Sequence, residues 1–277
     1  MVSVQTRCIF TAMRNQFFSL LWGFFLFLHP GTMTAAIKDS SRPGKPSGIT
    51  TETFRYTHLT RENGLPSNRI YCVIQDFHDY IWIGTDNGLA RFDGRNTTVF
   101  RHDRNDPNSV IDICILSLFE TSDSLLLIGA LDGLSIYDPS TKKFTGYSIN
   151  HKGREFFPSK GIVCFYEEED GSIWIGTENG LIHMKRHPVG FDYYSLRKSE
   201  NKPDRKYHFN FVTCIIQDPR DKDKLLISTL GGLLQFDKVS NTISHDYKKT
   251  INHLDGIINL NLDAGRYLWT CGWGVGS

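Results

Sequence analysis

Charge of one sign is scarce in this sequence: 31 Lys and Arg stand against 30 Asp and Glu, a net charge of +1. Without a basic or acidic field the chain has no electrostatic footprint for nucleic acid or an anionic membrane, and no nucleic acid partner is expected. Long apolar runs are also missing. The longest, residues 17–28 (FFSLLWGFFLFL), falls short of the about 20 residues a spanning helix needs. None of the six cysteines stands in a CxxC pair or a metal-type cluster. HExxH, GxSxG, a phosphate loop and a GxGxxG after a strand are all absent, as is the 3.6-residue apolar period of stacked helices. No catalytic residue, metal ligand or cofactor is therefore assigned.

The short apolar run has its own reading. Arg7 and Arg14 precede it, and Pro30, Gly31 and the small residues Thr34, Ala35 and Ala36 follow. That order fits an export signal over residues 1–36, with an uncleaved anchor as the alternative. Residues 37–53, rich in Pro, Gly and Ser, read as a tail or linker. The rest of the chain, residues 54–277, is then expected outside the cytoplasm.

Self-similarity dominates that remainder. IWIGTDNGLARF (81–92), LLIGALDGLSIY (126–137), IWIGTENGLIHM (173–184) and LLISTLGGLLQF (225–236) are versions of one segment. Their Gly-Leu steps begin at Gly88, Gly133, Gly180 and Gly232, and a fifth copy starts at Gly265. An apolar strand lies upstream of each (70–76, 113–120, 162–168, 211–218) and a short pair downstream. Asn-Gly and Asp-Gly steps between apolar runs are hairpin signals because both positions tolerate positive φ. Four short strands in about 45 residues make a propeller blade. The expected fold is an all-β, incomplete β-propeller of four-stranded antiparallel blades at about 70–101, 111–148, 161–195 and 211–247, with a truncated fifth at 256–277.

The repeat also assigns packing roles. Trp82 and Trp174 share a slot with Leu127 and Leu226, so they read as apolar wedges between blades, where a sugar platform would need a flat ring in every copy. Cys72, Cys164 and Cys214 share another slot and read as buried thiols. His183 and His187 (HMKRH) read as a solvated loop, and the acidic run 167–170 as a solvated hairpin turn.

IYCVIQDFHDYIWIGTDNGLARFD (70–93), IVCFYEEEDGSIWIGTENGLIHMK (162–185) and the lead-in LTRENGLPSNRI (59–70) resemble the two-component regulator propeller repeat. Departures from that pattern are Tyr80 in place of glycine, Ala130 in place of the threonine at Thr85, and Ser228 in place of the glycine at Gly84. The resemblance implies the N-terminal periplasmic sensor region of a Bacteroidetes hybrid two-component histidine kinase. It further implies an oligosaccharide ligand, a homodimer in the full receptor, and a remainder of second propeller, immunoglobulin-like domain, inner-membrane anchor and kinase. Copies that stop inside a fifth blade lead to the expectation of a truncated reading frame without kinase activity, the alternative being a small propeller closed by residues 54–59. An exported propeller lyase or glycan hydrolase and a plain interaction scaffold are the competing functions. Propeller logic would place a ligand where the loops 61–69, 103–109, 150–159 and 199–208 meet the hairpins at Asp86-Asn87, Leu131-Asp132 and Glu178-Asn179, with no individual binding residue named.

Overall fold

The computed structural model describes residues 58–149, 155–196, 210–244, 257–263 and 267–272. The expected export signal (1–36) and tail (37–53) lie outside them. Among the described residues regular structure is strand, apart from one 3-10 turn at Arg61–Asn63. Blade 1 is β1 (Ile70–Gln75), β2 (Ile81–Thr85), β3 (Gly88–Phe92) and β4 (Thr97–Phe100). Blade 2 is β5 (Ile115–Glu120), β6 (Leu126–Ala130), β7 (Gly133–Asp138) and β8 (Lys143–Ser148), with β9 (Glu155–Phe156) added in parallel at its outer edge. Blade 3 is β10 (Ile162–Glu167), β11 (Ile173–Thr177), β12 (Gly180–Arg186) and β13 (Val189–Tyr194). Blade 4 is β14 (Val212–Gln217), β15 (Lys224–Thr229), β16 (Gly232–Asp237) and β17 (Thr242–Ser244), and blade 5 shows β18 (Ile257–Asp263) and β19 (Tyr267–Gly272). Within each sheet the strands pair in chain order. The all-β, bladed architecture read from the repeat is the architecture of the chain.

The apolar core lies between blades. The middle strands are short and rich in Ile, Leu and Trp, and both of their faces must leave water. Trp82 and Leu89 of blade 1 join Ile115, Leu118, Leu126 and Ile128 of blade 2. Leu127 and Leu134 of blade 2 join Ile162, Phe165, Ile173 and Ile175 of blade 3. Trp174 and Leu181 of blade 3 join Val212, Ile215, Leu225 and Ile227 of blade 4. Cys214, Leu226 and Leu233 then meet Leu260 of blade 5. Each blade thus has a leading face toward its predecessor and a trailing face toward its successor. The wedge role of Trp82 and Trp174 holds, since only 1% and 3% of each is exposed.

A β-bulge sits at the same place in every first strand pair: Ile70/Cys72, Ile115/Ser117, Ile162/Cys164, Val212/Cys214 and Ile257/Asn259. It sets the local twist and turns the cysteine slot toward the next blade. The slot then needs a small residue opposite. A Cβ on Gly84 would lie 2.4 Å from Cys72 Sγ and 2.8 Å from Ile115 Cγ2, and one on Gly176 2.4 Å from Cys164 Sγ and 2.5 Å from Val212 Cγ1. In blade 2 the slot is Ser117, whose hydroxyl donates to the Ile162 carbonyl at 2.8 Å. Cys72, Cys164 and Cys214 are free thiols. Burial raises all three, Cys72 to about 12.

Three local expectations differ from the structure. The second hairpins have positive φ only at the glycine (Gly88 126°, Gly133 147°, Gly180 132°, Gly232 121°), and Asn87 is not left-handed. The turn is closed by threonine: Thr85 Oγ1 accepts the Asn87 N–H (3.1 Å) and donates to the Gly88 carbonyl (2.7 Å), as Thr177 and Thr229 do in their blades. Second, the residue in the glycine's place in the first hairpin is Asp79 (φ 65°), equivalent to Ser124 (66°) and Gly171 (80°), and Tyr80 is the ordinary residue after it. Third, β5 begins at Ile115, two residues later than read, because Asp112 Oδ1 accepts the N–H groups of Ile113 (2.6 Å) and Cys114 (3.3 Å) and holds them in a loop.

Leu118→Ala leaves a cavity between blades 1 and 2, so its urea unfolding free energy is expected to fall by about 2–5 kcal/mol, while Val239→Ala, at a hairpin residue 76% exposed, changes it by less than about 0.5 kcal/mol.

Candidate functional site

Two ends of the blades differ in chemistry. At one end lie the first and third hairpins, and their carboxylates are consumed by structure. Asp76 Oδ2 accepts the Trp82 indole N–H at 2.7 Å, and Glu168 Oε1 accepts that of Trp174 at 2.9 Å. Glu168 also accepts Lys238 Nζ at 2.9 Å. Glu120 accepts the Phe77 N–H of the preceding blade at 2.9 Å, and Glu167 accepts the Ser122 N–H at 2.8 Å and hydroxyl at 2.9 Å. Arg186 pairs with both Asp123 and Glu167. Glu167 and Glu168 are therefore inter-blade clasps, which corrects the reading of 167–170 as a solvated turn for those two, while Glu169 and Asp170 are exposed in the turn.

His183 is likewise no solvated loop residue. It lies directly across β11–β12 from Trp174 and stacks on the indole, with centroids 4.3 Å apart and planes at 18°. Its Nε2 is hydrogen-bonded to Ser172 Oγ at 3.0 Å. In blade 1 the same position is Arg91, whose guanidinium sits 5.6 Å over Trp82 and 4.5 Å over Tyr80. A wedge tryptophan is thus covered by a flat cross-strand partner, a pairing that the four-residue spacing of His183 and His187 does not suggest. Among the described residues no three His, Cys, Asp or Glu side chains group as a metal site.

The other end carries the second hairpins and the inter-blade connections, the face expected to take a ligand. Of the loops named from the sequence, 199–208 lies outside the described residues, as does the first half of 150–159. Loop 103–109 is satisfied internally: Asp103 and Asp106 accept N–H groups of Asn105 and Asn108, both at 2.8 Å, and Ser109 Oγ donates to their carbonyls at 3.0 and 2.8 Å. Loop 61–69 is pinned by Asn68, which accepts the Arg61 N–H at 2.9 Å, and by Pro66, whose carbonyl accepts Asn87 Nδ2 at 3.1 Å.

A chain of backbone bonds runs across this face from blade to blade. Gly88 N–H donates to the Ile113 carbonyl (2.7 Å), Leu131 to Cys114 (3.2 Å), Gly161 to Leu131 (2.8 Å) and Glu178 to Gly161 (2.9 Å). The hairpins of blades 1, 2 and 3 are so brought together, and with them Asp86, Asp112 and Glu178 around the half-buried Cys114. Burial raises the Cys114 thiol, and Asp112, Asp86 and Glu178 raise it further, while Arg69 lowers it. The thiol stays protonated at neutral pH and is no activated nucleophile. Arg69 Nε lies 3.7 Å from Asp86 Oδ2, and Asp86 Oδ1 is buried without a hydrogen-bond partner. Ile113 and Leu131 stand exposed beside these groups. Sequence reading found the face through Asp86 and Glu178 but missed Asp112 and Cys114, which lie in the connection before β5 and outside the repeated strand slots.

This bladed, repeat-built β fold is an incomplete β-propeller. Residues 64–87 and 157–179 match the two-component regulator propeller family. It is 27% identical over 100 residues to histidine kinase P4 of Formosa agariphila, a stretch that is 36% of this chain and 7% of that protein. Among solved structures it is similar to the extracellular domain of a proposed hybrid two-component system of B. thetaiotaomicron, with a TM-score of 0.50, 19% identity and coverage of 78% of this chain and 34% of that one. A second B. thetaiotaomicron extracellular domain, from a proposed one-component system, gives a TM-score of 0.46 at 22% identity, covering 75% of this chain and 31% of that one. The chain thus spans about a third or less of the length of these relatives, and the structural likeness speaks to fold alone. No helix among the described residues is long and apolar enough to cross a membrane.

Burial lowers the His183 pKa against the opposing pull of Asp192 and Asp170. A histidine depressed in the folded state contributes stability that is complete above its unfolded pKa of about 6.5 and is lost as pH falls through the folded value. Thermal midpoints from pH 7.5 to 4.5 are expected to decline below about 6.5, and His183→Gln is expected to remove part of that decline.

Proposed function

We propose that the chain is the extracytoplasmic ligand-sensing module of a two-component receptor and that its ligand is an oligosaccharide held on the second-hairpin face. The carrying observation is the convergence of Asp86, Asp112 and Glu178 on the Cys114 thiol near Arg69, with one oxygen of Asp86 buried and unpaired. Hydroxyl-rich ligands supply donors, and carboxylate acceptors at the mouth of a rigid fold meet that chemistry with stronger, charge-assisted bonds. The two-component regulator propeller repeats support the receptor setting. Catalysis has no part in this reading of the chain. Phosphotransfer and membrane anchoring are assigned to the remainder of such a receptor, which the kinase relative suggests.

Calorimetry of the exported chain against a panel of neutral and acidic oligosaccharides tests this. Asp86→Asn or Glu178→Gln is expected to weaken the best ligand about tenfold, or about 1.4 kcal/mol, while Asp138→Asn at the opposite end leaves it unchanged. A panel without binding, or binding insensitive to both face substitutions, sinks the assignment.

A further inference from the structure

Blade 2 breaks the polar pattern of the second-hairpin face at two positions. The registers make Ile113 equivalent to Asn68, Lys160 and Asn210, and Leu131 equivalent to Asp86, Glu178 and Leu230. The counterparts of Ile113 are thus all polar, and Asn68 and Asn210 spend their side chains on the Arg61 and Leu196 N–H groups. Ile113 and Leu131 are instead aliphatic and 41% and 38% exposed. They adjoin each other, because the Leu131 N–H donates to the carbonyl of Cys114, the residue after Ile113, at 3.2 Å. A single exposed aliphatic side chain is ordinary on a protein surface, but an adjoining pair on an otherwise polar face marks a contact.

A carboxylate and a guanidinium stand at the same junction. Gly161 holds the position of Arg69 in blade 1 and Cys114 in blade 2. Its missing side chain is used, since a Cβ there would lie 2.4 Å from Glu178 Cδ. The Glu178 carboxyl group therefore lies against Gly161, whose N–H donates to the Leu131 carbonyl at 2.8 Å. Among the described residues that carboxylate accepts no hydrogen bond. The Arg69 side chain is 71% exposed, with Asp86 Oδ2 at 3.7 Å from its Nε, and it keeps donors free for a ligand. Both Glu178 and Arg69 act on the Cys114 side chain, which places them on either side of one small area.

We infer, on the reading of this face as an oligosaccharide site, that the sugar it selects carries an acetamido group, as an N-acetylated hexosamine does. An acetamido group presents a methyl, an N–H and a carbonyl side by side. Ile113 and Leu131 give the methyl an apolar floor, Glu178 accepts the N–H, and Arg69 donates to the carbonyl. Every simpler substituent leaves part of this set unmet. A hydroxyl brings a donor without a methyl and leaves the aliphatic pair wet. The methyl of a deoxy sugar covers the pair and leaves the carboxylate without a donor. A uronic acid sets another negative charge against Asp86, Asp112 and Glu178.

Calorimetry of the full chain against matched disaccharides tests the inference. Gluco, galacto and manno forms are each offered with an acetamido, a free amine or a hydroxyl at C2 and no other difference. At least one acetamido form is expected to bind about tenfold tighter than both of its counterparts, a gap of about 1.4 kcal/mol. Ile113→Asn, which installs the residue of blades 1 and 4, and Leu131→Gln are each expected to erase most of that gap. Both leave the thermal midpoint unchanged, because the side chains they replace are exposed. Hydroxyl forms that bind as tightly as acetamido forms overturn the inference and leave the oligosaccharide reading in place. An acetamido preference that survives both substitutions overturns it in the same way. Tightest binding by the amine forms makes the carboxylates a cation site and overturns it too. Binding by no form at all removes the oligosaccharide reading and this inference together.

Discussion

Everything in this chain depends on the stacking of one blade on the next. A four-stranded sheet of short strands cannot bury its own two apolar faces, and the hydrophobic clusters accordingly straddle blade boundaries. Stability of this kind is a sum of neighbour terms. The bulge in each first strand, the glycine opposite it and the small thiol or hydroxyl between them serve the same end, close approach of the innermost strands, where the circle of blades is tightest.

That dependence explains what was legible in the sequence. A period of about 45 residues with Gly-Leu steps reports the neighbour contacts, because each blade repeats the same knob and notch. Fold class and the wedge role of Trp82 and Trp174 followed from it. Interchange with Leu127 and Leu226 could only mean apolar volume, and the buried ring positions agree. The same comparison of copies identified the cysteine slot, now seen to be shared by Ser117.

What was not legible depended on side chains meeting across strands or across blades. Glu167 and Glu168 read as a charged turn because the donors that bind them, Ser122, Trp174 and Lys238, come from three different hairpins. His183 read as exposed because its partner is the residue opposite in register, a relation that sequence spacing hides. Thr85, Thr177 and Thr229 looked like the end of a strand motif, yet their hydroxyls close the hairpin and relieve Asn87 and Asn179 of the left-handed backbone that an Asn-Gly step suggests. Tyr80 was misplaced by one residue because Asp79 adopts positive φ without being glycine.

The division of labour between the two ends follows from the same stacking. At the first-hairpin end the blades need polar locks against sliding, and Asp76, Glu120, Glu167, Glu168 and Asp218 all spend their oxygens on indole, backbone, lysine, arginine or glutamine donors of the protein. At the second-hairpin end the backbone itself forms the lock, from Gly88 to Ile113 and from Glu178 through Gly161 to Leu131. Side chains add to that lock, Asp112 accepting the N–H groups of Ile113, Cys114 and Asp132 and Thr85 closing its hairpin, while Asp86 Oδ1 is left without a partner. Polar groups left without protein partners on a rigid frame are what recognition requires. The first-hairpin end is thus locked by side chains reaching between blades, and the second-hairpin end by main chain helped by Asp112 and the hairpin threonines.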